Sequence, residues 1–514
     1  MTMFPSLLTL AALVQGWDVL MVTTILTPAV AVLLVTIVER RRAAEIITLT
    51  SGFLVLLQVL GLVIAVISGR VVSAFGQALY LDAFGALVLI PIALVGFVAA
   101  VYSLGYMGRQ YERDILGERQ MVRYYQGFNA FLLTMLLVPM VNNMGLMWVA
   151  IEATTLISVF MIMLYTSEGA IEAAWKYLII ATVGLSLALL GIVLFSYANS
   201  ASGSSMDWTS MVADSPLFNP GLVKIAYVFV LVGLGTKAGL APMHTWLPDA
   251  HGEAPTPVSA LLSGVLLNCS IYGVLRFYII SAGTLGPVFP EELLILLGLT
   301  SMGIAAVSIY FQKDMKRMLA YSSVEHMGII SLAVGFGGFL GLFAALLHLI
   351  NHAVAKPLMF FASGSVSQKY KTKVMEEIRG VIKVMPITGT LFLIGGLAIA
   401  GMPPFNVFLS EFLVLASGFG SGQFLVTSLM LLFLVVIFAG FLRHLVPMML
   451  GNPNESRTIV PVEKDIQTRE MGLLAIIPVA TLAIFVIVLG FYVPQSLQTL
   501  IRDATQVFAE GTAR

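Results

Sequence analysis

Apolar residues run through this chain in stretches of about twenty, separated by short polar segments. The stretch 471–492, for example, contains no charged residue. About 20 apolar residues in a helix cross a hydrocarbon core of about 30 Å. The period-two alternation of a membrane β-barrel is absent. The pattern predicts an all-α integral membrane protein with about fourteen transmembrane helices, and residues 4–14 are apolar but too short for an independent span. The predicted spans are 18–38, 46–67, 84–106, 126–142, 145–165, 177–197, 223–246, 257–280, 293–311, 318–337, 340–364, 385–418, 424–449 and 470–493.

Basic residues cluster in the loops that follow odd-numbered spans. Arg40, Arg41 and Arg42 follow span 1, Lys313, Lys316 and Arg317 lie after span 9, and Arg457, Lys464 and Arg469 follow span 13. The loops after even-numbered spans contain almost none. Because short cytoplasmic loops carry an excess of Lys and Arg, we expect a multi-pass protein of the cell (inner) membrane with both termini on the non-cytoplasmic side.

Composition agrees with a membrane protein and excludes several functions. Hydrophobic residues make up 59% of the chain and charged residues only 11%, whereas about 25% are charged in soluble domains. Lys plus Arg and Asp plus Glu both number 27, so nothing indicates a nucleic-acid partner. The single cysteine, Cys269, excludes Cys-ligated zinc and an iron–sulfur cluster held by this chain alone. Any redox chemistry is therefore expected in other subunits.

Two segments repeat at a constant offset of 162 residues: 238–249, AGLAPMHTWLPD, and 400–411, AGMPPFNVFLSE. Gly and Pro recur in register and are expected to interrupt spans 7 and 12. The offset covers five spans, an odd number, so the two copies would be inverted across the membrane. Inverted repeats with broken helices are typical of ion-coupled transporters. The alternative is a chance match of a short kink motif.

Ionisable side chains inside spans are expensive, so each is a candidate for function. Glu152 lies about two turns into span 5, and Lys237 lies just before the break in span 7. If their helices touch, the two groups would stabilise one another and form a switchable pair. The alternative is a buried ion pair that only holds two helices together.

Span 11 carries His348, His352 and Lys356 at spacings of four, on one helical face. A His-x-x-x-His pair resembles half of a zinc site, but no acidic residue lies on this span and no HExxH motif occurs, so we predict no metal. Imidazoles exchange protons near neutral pH, which favours a proton wire with Lys356 as a switchable charge. Hydrogen-bonded packing histidines are the alternative.

Glu411 follows the break in span 12 and is the predicted exit carboxylate of the relay. Seven further polar side chains are secondary candidates: Lys176, His244, Asp249, His251, Asn268, Glu325 and His326. Lys176 is equally consistent with a lysine that extends to the membrane interface. Asn268 does not titrate, so it can only hold water or orient a neighbour.

Four motifs together resemble a known family: AGLAPMHTWLPDAHGEAPTPVSALLSG, KDMKRMLAYSSVEHMG, HLINHAVAKPLMFFASGSV and GMPPFNVFLSEF. They resemble the antiporter-like subunits of respiratory complex I, group 4 NiFe hydrogenases and Mrp-type sodium/proton antiporters, most closely the hydrogenase-4 F-type subunit. The resemblance implies two inverted five-helix repeats with broken helices 7 and 12. It divides the chain into 1–124 (spans 1–3), 125–284 (spans 4–8), 285–450 (spans 9–13) and 451–514 (the last span and a short C-terminal tail).

The resemblance also implies a central hydrophilic axis that includes Glu152, Lys237 and Glu411. One departure is Asn268, where many complex I relatives carry a Lys, which puts the step from Lys237 to the span 11 histidines in doubt.

The leading hypothesis is a proton-translocating subunit of a redox-driven complex, such as a group 4 hydrogenase or a complex I-like enzyme. This chain would bind no cofactor, and NiFe, iron–sulfur or flavin centres would reside in partner subunits, both membrane-embedded and hydrophilic. The sequence leaves two alternatives open: an Mrp-type or stand-alone sodium/proton antiporter, and a passive membrane anchor for hydrophilic redox subunits.

Overall fold

The structure is a computed structural model that describes residues 16–200, 205–453 and 470–512. The short apolar segment 4–14 and the basic residues predicted after span 13 lie outside the described residues. Each predicted span overlaps one or two helices. The helices are α1 (Trp17–Val38), α2 (Arg41–Ile67), α3 (Ala83–Glu112), α4 (Glu118–Met140), α5 (Met144–Ile162), α6 (Glu168–Ala198), α7a (Pro220–Ala238), α7b (Trp246–Glu253), α8a (Thr256–Leu261), α8b (Leu267–Leu285), α9 (Val288–Phe311), α10 (Met315–Gly335), α11 (Gly338–Tyr370), α12a (Pro386–Ile399), α12b (Asn406–Gly420), α13 (Phe424–Leu450), α14 (Leu473–Phe491) and α15 (Gln495–Thr512).

Shorter elements lie between these helices. A π-helical segment, Leu262–Leu266, joins α8a to α8b. Two strands, β1 (Val72–Ala74) and β2 (Leu79–Leu81), pair antiparallel between α2 and α3. Short helices also occur at Trp208–Asp214 and Val381–Val384, and 3₁₀ turns at Met163–Tyr165, Ser215–Leu217, Met243–Thr245 and Met375–Glu377.

Eleven helices among the described residues are long and apolar enough to cross a membrane, counting α7a with α7b and α8a with α8b as single spans. The halves of α12 are apolar but shorter, and α4 and α10 fall outside the eleven. The chain is thus a multi-pass integral membrane protein.

The predicted spans 7 and 12 are each divided in the structure. Helix α7a ends at Ala238 and α12a ends at Ile399, and a glycine in the left-handed region soon follows each end. These glycines, Gly239 (φ 79°) and Gly401 (φ 71°), are the pair that lies in register 162 residues apart. A residue without a Cβ adopts this conformation at little cost, so the two glycines end their helices. The peptide bonds before Pro242 and Pro404 are both cis.

The core of the molecule surrounds α8. The most apolar part of α8 is wholly buried, and most of the corresponding parts of α3 and α11 are buried as well. Helices α1 and α13, in contrast, present most of their surface to the surroundings. A helix at the centre of a membrane bundle has no lipid-facing side, so its polar residues can face only other protein segments or enclosed water.

Glycines allow pairs of helices to pack at backbone contact. A Cβ on Gly233 of α7a would lie 2.5 Å from the Gly184 carbonyl oxygen of α6. A Cβ on Gly298 of α9 would lie 2.7 Å from the Gly328 oxygen of α10. Small residues at such contacts are typical of helix packing in membranes.

The tail after the last span forms α15, an element that the sequence analysis did not predict. Its Phe508 ring packs against Phe84 of α3 and Tyr278 of α8b, at centroid distances of 5.1 Å and 6.2 Å. Leu500, Ile501 and Phe508 are all buried. The helix therefore packs onto the ends of α3 and α8b instead of extending away from the bundle.

Candidate functional site

Glu152 lies in the middle of α5 and is partly buried. Its Oε1 accepts a hydrogen bond of 3.3 Å from Thr182 Oγ1 of α6. Its Oε2 is buried and has no hydrogen-bond partner within the protein. The carboxylate thus faces α6, and only one of its two oxygens accepts a hydrogen bond from the protein.

Lys237 occupies the last turn of α7a and is completely buried. Its ammonium donates to Thr155 Oγ1 at 2.7 Å and to the Tyr177 hydroxyl of α6. The Tyr177 hydroxyl also bonds Ser158 Oγ at 2.8 Å. Helices α5 and α6 therefore supply the hydroxyl groups that surround the buried amine of α7a.

The predicted pair of Glu152 and Lys237 is not a direct ion pair. The salt bridges between described residues do not include one between these two groups. Thr155, which accepts from Lys237, lies three residues after Glu152 and so shares its helical face. Both groups bond hydroxyl groups of α5 and α6, Glu152 through Thr182 and Lys237 through Thr155 and Tyr177.

The break in span 7 brings an aromatic ring against this cluster. Trp246, the first residue of α7b, lies 4.6 Å from the Tyr177 ring between centroids. Its Nε1 donates to the Thr236 carbonyl oxygen at 2.9 Å. The position of α7b is therefore coupled to the residues that surround Lys237.

A second polar cluster crosses α10, α11 and α12b. His326 Nδ1 and His348 Nε2 lie 2.9 Å apart, and His348 Nδ1 lies 2.9 Å from Ser410 Oγ. The rings of His326 and His352 have centroids 5.3 Å apart. His326 thus contacts both of the histidines predicted on span 11. All four side chains are completely buried.

Lys356 and Glu325 complete this cluster. Lys356 Nζ donates to Ser322 Oγ at 2.5 Å and to the Leu319 carbonyl oxygen at 3.4 Å. Glu325 lies three residues after Ser322 on α10 and is completely buried. Neither of its carboxylate oxygens has a hydrogen-bond partner within the protein. The cluster therefore holds an amine, a carboxyl group and three imidazoles.

Glu411 lies on α12b beside the break. Its Oε2 is so close to Gly401 that a Cβ there would come within 2.1 Å of it. Its Oε1 is buried without a partner in the protein. The glycine that ends α12a therefore also makes room for this carboxyl group.

The region between the two clusters contains neutral polar groups. Asn268 of α8b donates to the Gly264 carbonyl oxygen at 3.0 Å and to the Leu349 oxygen at 3.4 Å, and its Oδ1 is unpartnered. Ser263 Oγ and Ser323 Oγ lie 2.7 Å apart and join α8 to α10. Asn268 thus lies beside α11, at the gap that the sequence left in doubt.

The two clusters, Asn268 between them and Glu411 form a row of buried polar groups from α5 to α12b, and among the described residues nearly all buried carboxylate and imidazole atoms without a protein partner belong to this row. Most buried polar groups in folded proteins have a partner, which is either protein or an ordered water. Along the row, the atoms without one are Glu152 Oε2, Glu325 Oε1 and Oε2, His326 Nε2, both ring nitrogens of His352, Asn268 Oδ1, Glu411 Oε1 and His251 Nε2. Such a concentration is what a hydrated proton path requires.

Two of the secondary candidates lie at the surface. Lys176 contacts Glu172 at 2.6 Å and Asp249 at 3.2 Å, and Asp249 also contacts Arg317 at 2.5 Å. These groups border an open polar cavity of about 200 Å³. Lys176 and Asp249 therefore belong to an exposed ion-pair network.

The other two candidate histidines line α7b and the turn before it. His251 is completely buried, and its Nδ1 lies 2.8 Å from the Leu247 carbonyl oxygen. His244 is 7% exposed and its ring lies 6.0 Å from Tyr321 of α10. His251 therefore belongs to the buried part of α7b, whereas His244 contacts α10 beside the break.

One buried ion pair was not predicted from the sequence. Arg276 of α8b contacts both oxygens of Asp82, at 2.9 Å and 2.6 Å, and lies 3.8 Å from the Trp208 ring. Asp82 also caps α3 by accepting from the Gly85 amide at 2.8 Å. Arg276 is a lone charge in an apolar span, so the criterion that selected Glu152 would also have found it.

Within the described ranges, no group of three or more His, Cys, Asp or Glu side chains has the arrangement needed to hold a metal ion. The row is instead built from groups that accept and release protons, with hydroxyl and amide groups between them.

The comparisons with known proteins agree with the motifs. The sequence profile of the family described as NADH:quinone oxidoreductase/Mrp antiporter, TM, matches residues 141–439. The chain is similar to the hydrogenase-4 component F homolog of Methylacidiphilum infernorum (isolate V4), with 40% identity over 74% of this chain and 80% of that protein. It is also similar to NADH-quinone oxidoreductase subunit N of Desulforudis audaxviator (strain MP104C), with 30% identity over 84% and 85%.

A solved structure shares the fold. A chain of the membrane-bound sulfane sulfur reductase, an archaeal respiratory membrane complex, superposes with a TM-score of 0.84. The match covers 96% of this chain and 98% of that chain, at 24% sequence identity. The fold is therefore shared over nearly the whole length.

Proposed function

The chain belongs to the NADH:quinone oxidoreductase/Mrp antiporter family, and on that premise we propose that it translocates protons along the buried row from α5 to α12b. It is an antiporter-like membrane subunit of the kind found in hydrogenase, complex I and Mrp complexes. The observation that carries the proposal is the concentration of unpartnered, titratable atoms on Glu325, His326, His352 and Glu411. Dry apolar packing around these groups would cost several kcal/mol for each unsatisfied polar group.

The first half of the path runs from Glu152 to Lys237. Thr155 and Tyr177 bond the Lys237 amine, and hydroxyl groups both donate and accept hydrogen bonds, so they can relay a proton. A proton on Glu152 lowers the electrostatic stabilisation of a charged Lys237, and an ionised Glu152 restores it. The two sites therefore exchange protons as a coupled pair without a direct ion pair.

The second half of the path runs through imidazoles. His326, His348 and Ser410 form a continuous hydrogen-bonded chain from α10 to α12b, where Glu411 follows Ser410 directly. Each neutral imidazole has one donor and one acceptor nitrogen, so it passes a proton by exchanging tautomers. Lys356 and Glu325 provide opposite charges beside the chain. Water held by Asn268 and its neighbours bridges the two halves.

We further propose the architecture that the resemblance implies. Fourteen spans enclose two inverted repeats, 125–284 and 285–450, with broken helices 7 and 12; residues 1–124 and 451–514 flank them. The recurrence of a left-handed glycine at Gly239 and Gly401 supports the repeat. Both termini face away from the cytoplasm.

The partner of this chain is a redox enzyme. With 40% identity to a hydrogenase-4 component F homolog, the chain fits a hydrogenase-like or complex I-like assembly whose other membrane and hydrophilic subunits hold NiFe, iron–sulfur or flavin centres. Two other functions compete with this proposal: sodium/proton antiport, and passive anchoring of hydrophilic redox subunits. The experiment below distinguishes them.

The test measures proton uptake by liposomes that contain the assembled complex. Glu152→Gln and Lys237→Ala should each abolish pumping while the complex still assembles and its redox activity persists. Matched controls are Glu168→Gln and Lys224→Gln, which change exposed residues at the starts of α6 and α7a and should leave pumping intact.

Two results contradict the proposal. Undiminished pumping in both variants, with normal assembly, identifies the chain as an anchor. Transport that requires external sodium and persists without any redox substrate identifies a sodium/proton antiporter.

A further inference from the structure

An open groove runs along the outer surface of the bundle between α1 and α2, two helices that contribute no residue to the buried polar row. Its volume is about 470 Å³, and it is bordered by lipid-facing side chains such as Leu26, Leu34 and Leu54. Polar groups also line it. Ser51 is 3% exposed, borders the groove, and has no hydrogen-bond partner for its Oγ.

The groove follows the axis of α2. Ile46, Thr50, Leu54 and Gln58 line it at spacings of four, so they form one face of the helix. Arg42 precedes Ile46 by four residues and extends this face to the end of the helix. At the other end of the groove, Gln58 Nε2 donates a hydrogen bond of 3.1 Å to Thr27 Oγ1 of α1, so each of these polar groups has a partner.

The mouth of the groove carries unneutralised positive charge. Arg40 and Arg42 are both exposed, and neither forms a salt bridge with any described residue. Arg41, between them, is already paired with Glu45 at 2.7 Å and stacks over Tyr111. Carboxylates also lie near the mouth, since Glu39 is exposed in the same loop and Glu118 accepts a hydrogen bond of 3.4 Å from the Arg41 amide. Arg42 nevertheless places a guanidinium that forms no ion pair with a described residue on the groove's own face.

The length of the groove matches one leaflet of a bilayer. Sixteen residues separate Arg42 from Gln58, and a rise of 1.5 Å per residue gives about 24 Å. Half of a bilayer, with its headgroups, measures about 20–22 Å. A lipid whose phosphate lies at Arg42 would therefore place its acyl chain along Ile46, Thr50 and Leu54.

We propose that the groove between α1 and α2 is a binding site for an anionic phospholipid. The headgroup phosphate accepts hydrogen bonds from Arg42 and Arg40, and one acyl chain lies between the helices. Basic residues at the end of a groove between transmembrane helices select anionic over zwitterionic headgroups, because only the anionic lipid carries net negative charge. The bound lipid belongs to the leaflet on the side of the α1–α2 loop.

The experiment uses the full chain in nanodiscs of phosphatidylcholine that contain a small fraction of photoreactive lipid. The photoreactive group sits in the acyl chain, and the headgroup is either phosphatidylglycerol or phosphatidylcholine. After illumination, mass spectrometry maps the labelled peptides. Phosphatidylglycerol should label residues 46–58 preferentially over phosphatidylcholine.

The arginines should control this preference. Arg42→Gln and Arg40→Gln should each lower the phosphatidylglycerol labelling of 46–58 by about fivefold, as expected for one juxtamembrane charge. Arg70→Gln is the matched control, since Arg70 is exposed at the opposite end of the same helical hairpin. Thr50→Phe keeps the arginines but fills the groove, so it should abolish labelling there.

Other results overturn the proposal. Equal labelling by both headgroups, or labelling that is insensitive to Arg42 and Arg40, shows that any bulk lipid occupies the surface. Loss of the label on assembly with partner subunits, together with crosslinks from position 50 to a neighbouring helix, shows that the groove is a subunit interface.

Discussion

Gly401→Ala separates the structural role of the α12 break from its role in proton transfer. Gly401 adopts φ 71°, in the left-handed region where a residue with a Cβ costs about 1–2 kcal/mol. The added Cβ would also lie 2.1 Å from Glu411 Oε2. The carboxyl group must then withdraw by about 1.3 Å to reach the 3.4 Å of an ordinary contact. This shift is enough to take it out of hydrogen-bonding distance of a proton donor on the proposed path, because such bonds span only about 2.7–3.2 Å.

A matched variant isolates the backbone cost. Gly422 has φ 78° and no atom within 4 Å of the position of a Cβ. Gly422→Ala should therefore lower the free energy of unfolding by about 1–2 kcal/mol and leave pumping intact. Gly401→Ala should add an overpacking cost of about 1–3 kcal/mol. Its pumping rate should fall by roughly tenfold or more, because displacements near 1 Å disrupt transfer geometry.

The assay combines detergent-induced unfolding of the purified chain with proton uptake by liposomes that contain the assembled complex. If Gly401→Ala destabilises the protein but pumps at the rate of Gly422→Ala, the position of the Glu411 carboxylate is not part of the path, and the reasoning fails.

Two further predictions test other parts of the structure. Arg276→Leu leaves the Asp82 carboxylate buried without its partner, so it should lower the free energy of unfolding by about 3–5 kcal/mol, measured by thermal or detergent unfolding. The pumping rate per folded molecule should not change. Equal stability of the variant and the unmodified protein would refute the importance of this ion pair. His348→Phe interrupts the hydrogen-bonded chain from His326 to Ser410 and should abolish proton uptake in liposomes. The control is His444→Phe, which changes a histidine that contacts the Tyr310 carbonyl oxygen and should leave proton uptake intact. Equal rates of proton uptake in the two variants would exclude an imidazole wire.

The sequence alone determined the position and nature of most elements. An apolar run of about twenty residues is stable in a bilayer as a helix, because a helix bonds every backbone amide within the segment and leaves none unpaired in the hydrocarbon. For this reason the predicted spans overlap helices in the structure, eleven of which are long and apolar enough to cross a membrane among the described residues. Glycine and proline at fixed positions likewise placed the interruptions in spans 7 and 12, since these residues act on the local backbone. The candidate residues were found because lone charges in apolar runs are visible without any knowledge of packing.

Only the tertiary structure decided which of those charges meet. The partners of Lys237 lie 82 and 60 residues away along the chain, in Thr155 and Tyr177, and no local pattern specifies such contacts. Lys176 and Asp249 lie in an ion-pair network at the surface. How deeply each side chain is buried depends on where its helix ends in the packed bundle, and the residue type alone does not specify this. The pairing of Asp82 with Arg276 across 194 residues has the same origin. A sequence records which side chains are costly in a membrane, but the packing of the helices determines which groups compensate that cost.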